Sequence, residues 1–562
     1  MCIFVVSMKR INTIIILCFI LLPVIASKHE VRAVWLTTLG GLDWPHTYAH
    51  DGMGIEQQKR ELCDILDKYV EAGLNTVLFQ SRVRGTTVYP STIEPWEASL
   101  SGNVGVSPGY DALEFAIKEC HKRGLKIHAW VVAIPLGKWN GGGCINIRRN
   151  NASLVKRIGD EGFMNPEKRG TADYIAGICR EIVRKYDVDG IHLDYIRYPD
   201  TWGKINNKIA ARNNITRIVE TVYEAVKKEK AWVALSCSPV GKYADTKRAW
   251  AHGWNARDVV CQDVALWLQK GLMDMVFPMM YFKGDNFFPF LIDWKERSNG
   301  RIMAPGLGIY FMHPSEKNWP LIDITREMQV SRSQNMGMCF FRSKFFTDNT
   351  KGLFDFTKNI YSRELSIQPP MTWVSSGVPQ TPVNLKLTKN NDGKVELSWD
   401  AVQGNVLYNI YGSIEENVDI KKPENLLMAY YEKTSIELPA VNRIKYFAVT
   451  AIDRFSEESL PVCSNKGMEE EDRQGVAPSG MLLLMHDNTT LYLDDTDVQD
   501  GDLIELCSMT GVSLTSRFVY MKGEHKTIDI SALPMRHYKV YILSPKGNKH
   551  LLGYFCNIVI YK

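Results

Sequence analysis

Between residues 31 and 361, short apolar runs alternate with stretches of helical period, and that alternation predicts βα units around a parallel sheet. Eight apolar runs stand at 31–38, 76–81, 126–133, 190–197, 232–238, 275–281, 303–310 and 338–342, with helix-like patterns such as 56–71, 110–123 and 173–185 between them. Eight such units predict an α/β fold, a (β/α)8 TIM barrel over 28–364. Beyond it the texture changes. Gln368-Pro369-Pro370 and the Pro-, Ser- and Gly-rich stretch 375–382 predict a linker over 365–381. The segments VELSWDA, LYNIYG and KYFAVTAID then alternate between turn-rich stretches, which predicts a small β-sandwich over 382–466 with Trp399 and Tyr446 as core aromatics. An acidic connector at 468–475 precedes a second predicted sandwich-like module, 476–562.

Composition narrows the function classes. The net charge of +4 is small for 562 residues, and 67 Lys and Arg are interleaved with 63 Asp and Glu, so no nucleic-acid partner is expected. Lys9 and Arg10, an apolar run at 14–25 and the small residues Ala26-Ser27 have the layout of a signal peptide over 1–27, with Met8 as an alternative start. This predicts export to the periplasm or the cell exterior. No second apolar stretch reaches the roughly 20 residues that cross a bilayer. The twelve cysteines are scattered without a CxxC pair, and several, such as Cys237 and Cys339, fall in apolar runs, so buried free thiols are expected. No HxH or HExxH spacing is present; no metal and no cofactor are expected, and the chain is read as a monomer.

A TIM barrel carries its chemistry at the C-terminal ends of its strands, so the polar residues that close each apolar run are the candidates. The fourth run reads Asp189-Gly-Ile-His-Leu-Asp-Tyr-Ile-Arg197, and period-two alternation puts His192, Asp194 and Ile196 on one face. A carboxylate in mid-strand is costly unless it is paired or opens on a cleft. Asp194 is therefore either the partner of Arg197 or Arg82, or the leading catalytic candidate. Tyr281 closes the sixth run and Arg84 follows the second, groups suited to orienting sugar hydroxyls. Trp35, Trp44 and Trp130 offer aromatic faces, and His128 and His192 stand on neighbouring runs. The long loop 89–102 carries Glu94 and Glu97; Glu94 beside Pro95-Trp96 is the candidate general acid, since an apolar loop raises a carboxyl pKa, and Asp285 is held in reserve.

The strings Glu30-Val-Arg-Ala-Val-Trp-Leu-Thr-Thr38, Tyr89-Pro-Ser with Glu94-Pro-Trp96, Gly124-Leu-Lys-Ile-His-Ala-Trp130 and Asp187-Val-Asp-Gly-Ile-His-Leu-Asp-Tyr195 together resemble the glycosyl-hydrolase-like family ten proteins. Gly271-Leu-Met-Asp274, Phe277-Pro-Met-Met-Tyr281 and Gly306-Leu-Gly-Ile-Tyr310 extend the likeness across the barrel. The resemblance implies a glycoside hydrolase acting on bacterial cell-wall glycan, specifically peptidoglycan strands lacking stem peptides, with Asp194 as the catalytic carboxylate. The segment 382–465 similarly resembles a fibronectin type III module, and the last segment looks like an Ig-like C-terminal module of secreted bacterial proteins. Strand four resembles, more distantly, the chitinase pattern DGxDxDxE, but His192 and Ile196 stand where that pattern has an Asp and the acidic Glu. Asp194 thus serves as nucleophile, as half of a carboxylate pair, or as the group that polarises a substrate 2-acetamido with Tyr281 holding it. Arg84, His192 and Arg197 are positioning groups, and Trp35, His128, Trp130 and Asp285 complete the expected substrate contacts. The rivals are a non-catalytic wall-binding protein and a hydrolase of another polysaccharide, such as a deacetylated glucosamine polymer or a dietary glycan.

Overall fold

The computed structural model describes residues 27–249, 253–375, 377–389, 394–438 and 444–464, and most of 484–556. The predicted signal segment, apart from Ser27, and the connector 468–475 lie outside the described residues. Eight parallel strands follow the predicted runs: β1 (Arg32–Leu36), β2 (Thr76–Arg82), β3 (Lys126–Val132), β4 (Gly190–Asp194), β5 (Ala234–Ser238), β6 (Met275–Val276), β7 in two halves (Ile302–Met303 and Gly306–Leu307) and β8 (Met338–Phe340). Each pairs in parallel with its neighbour, and β8 returns to β1. The two halves of β7 carry the sheet's edges. A parallel bridge between Met279, just past β6, and Gly306 in the second half of β7 spans the gap, so the sheet curls into a TIM-like barrel.

Alternation along the strands sorts two shells. Val34, Leu36, Val77, Phe79, Ile127, Ala129, Ile191 and Leu193 pack outward under the helices, while Ala33, Trp35, Leu78, Trp130, Ala234 and Phe277 fill the centre. Helices α1 (Gly52–Glu71), α2 (Ala112–Lys122), α3 (Gly170–Lys185), α4 (Lys208–Glu229), α5 (Val264–Gln269), α6 (Phe288–Arg297) and α7 (Leu321–Ser333) form the outer ring. Asp51 and Asp111 cap the N-termini of α1 and α2 through their side chains, and Asn207 caps α4. Glycines on the inner face make room for large neighbours: a Cβ at Gly190 would fall 2.6 Å from the His128 ring.

The bottom of the barrel is closed by charge. Glu30 accepts from Arg32 (2.7 Å), Arg332 and Tyr361, and Asp189 holds Lys126 (3.1 Å) and His121 (2.9 Å). The expected linker is part of this base. Ile367 exchanges backbone hydrogen bonds with Lys28 and Glu30, Met371 joins the inner core, and Trp373 Nε1 donates to Asp274 (2.7 Å). Proline and serine there set an extended path along the barrel base rather than a free tether. A four-stranded antiparallel sheet (Leu407–Ser413, Leu426–Tyr431, Tyr446–Ile452 and Val462–Cys463) belongs to the same compact unit, through Arg454 on Asp187 (2.9 Å) and Lys28 on Glu458 (2.5 Å).

The second compact unit, 387–397, 437–442 and 466–562, carries the C-terminal all-β module. Two antiparallel sheets, of three and four strands, share a core of Leu491, Ile504, Leu506, Ile528, Tyr538, Val540 and Phe555. The nine cysteines found unpaired include seven buried ones, Cys237 and Cys339 among them, as expected for thiols inside apolar strands.

Glu327 on α7 is buried, and among the described residues both its carboxylate oxygens lack a hydrogen-bond partner. Burial, reinforced by Asp323, pushes its pKa up to about 9. The folded chain therefore keeps this proton while the unfolded chain releases it near the ordinary carboxylate range, so stability falls as pH rises from about 4.5 towards 9. Glu327→Gln should remove that slope and raise stability at pH 8 by on the order of a few kcal/mol, with little gain near pH 4.5. Denaturation midpoints across pH check this, and parallel curves for the two proteins would contradict it.

Candidate functional site

Asp194 is the last residue of β4, and the chain turns sharply after it, because Tyr195 adopts a left-handed backbone (φ 52°). The turn brings the Tyr195 N–H onto Asp194 Oδ1 at 2.7 Å. Ser238 Oγ, directly opposite on β5, donates to the same oxygen at 2.7 Å, and Trp130 Nε1 on β3 donates to Oδ2 at 3.1 Å. Burial pushes the Asp194 pKa above the usual aspartate range, and the three donors and the charge of Arg197 oppose that rise. The side chain remains half-buried at the open end of the barrel.

The left-handed turn also overturns the expected alternation. His192 and Asp194 share the inner face, but Ile196, expected beside them, packs in the outer shell and Tyr195 lies against the inner core. Neither arginine pairs with Asp194. Arg82 is buried in a two-pronged ion pair with Glu94 (2.8 and 2.7 Å) and also donates to the carbonyls of Val132 and Ala133, while Arg197 pairs with Asp200 at 3.1 Å. Among the described residues Asp194 makes no ion pair, and none of the groups that act most on its titration is a second carboxylate.

Several expected contacts are corrected. Glu94 is not an overhanging acid: it is buried, takes Arg82 on both oxygens and a third hydrogen bond from Tyr174 (3.1 Å), and so latches the loop after β2 to the barrel. Glu97 caps the short helix Ala98–Ser101. Trp44 is core, donating to the Gln58 carbonyl and packing on Phe79. Trp35, His128 and His192 are buried in the barrel centre and form a polar belt rather than a sugar platform. Trp35 Nε1 donates to His192 Nε2 (3.2 Å), so this imidazole is neutral with its proton on Nδ1, facing Ser236 Oγ at 3.0 Å. Burial lowers His128 to about 4 and His192 further still, which keeps both rings uncharged at neutral pH. Arg84 is exposed at the rim beside Gly137. Asp285 is exposed on the turn Gly284–Asn286, with no hydrogen bond to the Asp194 surroundings among the described residues.

Tyr281 is brought to Asp194 as the residue pattern suggested. Burial and the negative charge of Asp194 raise its pKa well above the ordinary phenol value, and its buried hydroxyl has no partner among the described residues. The ring stacks on Phe341 (5.3 Å, 26°) and meets Tyr310 edge-on (5.9 Å), with Gly308 leaving room beside it. Trp130 serves as a donor to the carboxylate, not only as a face. Ser238 was missed, although two serines at i and i+2 in the apolar run Ala234–Ser238 mark an inward polar row. The result is an accepting carboxylate and a phenol whose hydroxyl has no partner among the described residues, set among the rings of Trp130, Phe341 and Tyr310. Such a pair can bracket a group that carries both a donor and an acceptor. Among the described residues no His, Cys, Asp or Glu cluster suited to a metal ion is present.

The family described as "Glycosyl hydrolase-like 10" matches residues 30–211, which include β1 to β4 and Asp194. Glycosyl hydrolase YngK of Bacillus subtilis (strain 168) is 26% identical over 480 residues, 77% of this chain and 92% of that protein. Glycosyl hydrolase DigH of Escherichia coli (strain K12) is 30% identical over 293 residues, 46% of this chain and 66% of its own length. Of solved structures, the PgaB (BpsB) glycoside hydrolase domain from Bordetella bronchiseptica superposes with a TM-score of 0.43 at 12% identity, over 61% of this chain and 100% of that one.

The donor shell around Asp194 is open to direct test. Trp130→Phe deletes an N–H that favours the carboxylate anion, so the Asp194 pKa should rise further. Carbon NMR titration of the labelled carboxyl group reads this; an unchanged or lowered value would show that Trp130 does not stabilise the charge.

Proposed function

We propose, on the premise that residues 30–211 carry glycosyl hydrolase-like 10 sequence and that the chain is a glycoside hydrolase, that it cleaves a β-linked glycan of N-acetylated sugars with assistance from the substrate's own 2-acetamido group. Peptidoglycan strands lacking stem peptides are the proposed substrate, met in the periplasm or outside the cell. The observation that carries the mechanism is the Asp194 carboxylate, which makes no ion pair among the described residues, beside the Tyr281 phenol, whose hydroxyl has no partner among them. A carboxylate pair would call for a second acid about 5–10 Å away, and the residue expected to fill that place, Glu94, is committed to Arg82.

In this reading Asp194 accepts the amide N–H of the 2-acetamido group and Tyr281 donates to its carbonyl oxygen. That oxygen bonds to C1 as the C1–O bond to the next sugar breaks. The departing oxygen takes a proton from a water molecule, which is left as hydroxide, and the amide proton passes to Asp194, leaving a neutral oxazoline. That hydroxide then adds at C1 as the oxazoline C1–O bond breaks, and Asp194 returns its proton to nitrogen, which gives net retention. Trp130, Ser238 and the Tyr195 N–H hold the carboxylate in one orientation through these steps, so little reorganisation is needed as charge develops. Arg84, exposed at the rim, is a group for orienting the polymer, and the buried Arg197 acts on the charge of Asp194.

Digestion of purified peptidoglycan, with and without stem peptides, tests the proposal. The wild type should release disaccharides from the peptide-free strands, Asp194→Asn should lose about 10³-fold or more in kcat, and Tyr281→Phe about 10–100-fold. Removal of the N-acetyl groups should abolish cleavage. Undiminished hydrolysis by Asp194→Asn, or of the de-N-acetylated glycan, would overturn it.

A further inference from the structure

Trp254 lies in the loop after β5, at the same end of the barrel as Asp194, and its indole is 44% exposed. It was not among the residues singled out by the sequence. Its Nε1 donates to Asp200 Oδ1 at 2.9 Å, and the same oxygen takes Arg197 Nη1 at 3.1 Å. The Arg197 guanidinium lies 3.8 Å from the centre of the Tyr195 ring and 5.3 Å from that of Trp254. Tyr195 is the residue whose N–H holds Asp194. The two loops are further laced by Tyr198 N–H to the Val260 carbonyl (3.1 Å) and Gln262 Nε2 to the Ile196 carbonyl (3.3 Å).

An exposed indole tied at its N–H edge has its orientation fixed while part of its surface stays open. Arg197 is buried, and its Nε has no partner among the described residues. A short run of contacts, Tyr195 to Arg197 to Trp254, thus leads from the candidate carboxylate to an open aromatic surface. Large apolar side chains displayed singly are common, but one tied to an ion pair of a buried arginine and a half-exposed aspartate, at the same end of the barrel as the candidate carboxylate, is pre-set for a ligand with an apolar face.

We propose that Trp254 is a stacking platform for a sugar ring adjacent to the one whose glycosidic bond is cut. The axial C–H face of a β-linked pyranose would lie on the indole, and Asp200 and Arg197 are positioning residues that fix the ring. This rests on the reading that Asp194 marks the point of cleavage. It commits the site to binding more than one sugar of a chain.

The test measures KM and kcat for short and long β-linked N-acetylhexosamine oligosaccharides, with the full-length protein. Trp254→Ala should raise KM for the long oligosaccharide about tenfold and affect the shortest cleavable one less, while kcat falls far less than KM rises. Trp254→Phe should recover most of the loss. In an Asp194→Asn background, the long oligosaccharide should perturb tryptophan fluorescence, and Trp254→Ala should remove that signal. An unchanged KM in Trp254→Ala, or equal losses for all chain lengths without recovery by phenylalanine, would overturn the platform and leave the role of Asp194 standing. Full activity of Asp194→Asn would instead overturn the reading on which it rests.

Discussion

Three donors from three places converge on one carboxylate: an indole on β3, a hydroxyl on β5 and a backbone N–H supplied by a left-handed turn after β4. Burying an aspartate is costly, and these bonds offset enough of the cost for the group to stand half-buried without an ion pair among the described residues. The arrangement depends on parallel register. Asp194 lies opposite Val132 on one side and Ser238 on the other, so a one-residue slip of either neighbour would turn the donors to the wrong face. The barrel is in this sense a frame for a single side chain.

Polar groups elsewhere in the barrel interior are spent on fixing that frame. Below Asp194 the Trp35, His192, Ser236 and His128 belt satisfies most of its hydrogen-bonding groups with both imidazoles neutral, while His128 Nε2 is left unpartnered. At the base, acids that immediately precede strands, Glu30, Asp189 and Asp274, gather cations and backbone donors from distant parts of the chain. Acids and cations pair at both ends of the barrel, with Arg82–Glu94 and Arg197–Asp200 at the open end, and among the described residues Asp194 stands there without an ion pair. That placement fits the division of labour between the two faces of such barrels.

Much of this was legible in the sequence. Apolar runs located all eight strands because parallel strands are buried on both faces, and the barrel rule then pointed to Asp194 and Tyr281. The errors have specific causes. The end of β4 was hidden because a tyrosine, not a glycine, takes the left-handed turn, so Ile196 was put on the wrong face. Glu94 looked like a free loop acid because its partner, Arg82, is fixed only by the three-dimensional path of the loop. The histidines and Trp35 read as rim residues, yet they sit a layer deeper, a difference of one inward position along each strand. Pro and Ser after 364 suggested a tether, whereas edge pairing of Ile367 with His29 draws that segment onto the barrel. Ser236 and Ser238 carried a signal in their spacing. Trp254 carried none, since its exposure and its tie to Asp200 exist only in the fold.

The most direct measurement is binding of a stable thiazoline mimic of a cyclised 2-acetamido sugar, which reproduces the bracketed group without the leaving sugar. Participation of the acetamido group between Asp194 and Tyr281 predicts competitive inhibition of the wild type and at least about tenfold weaker binding to Tyr281→Phe, the cost of one hydrogen bond to a developing charge. Absence of inhibition, or equal affinity for both proteins, would contradict that role for the pair.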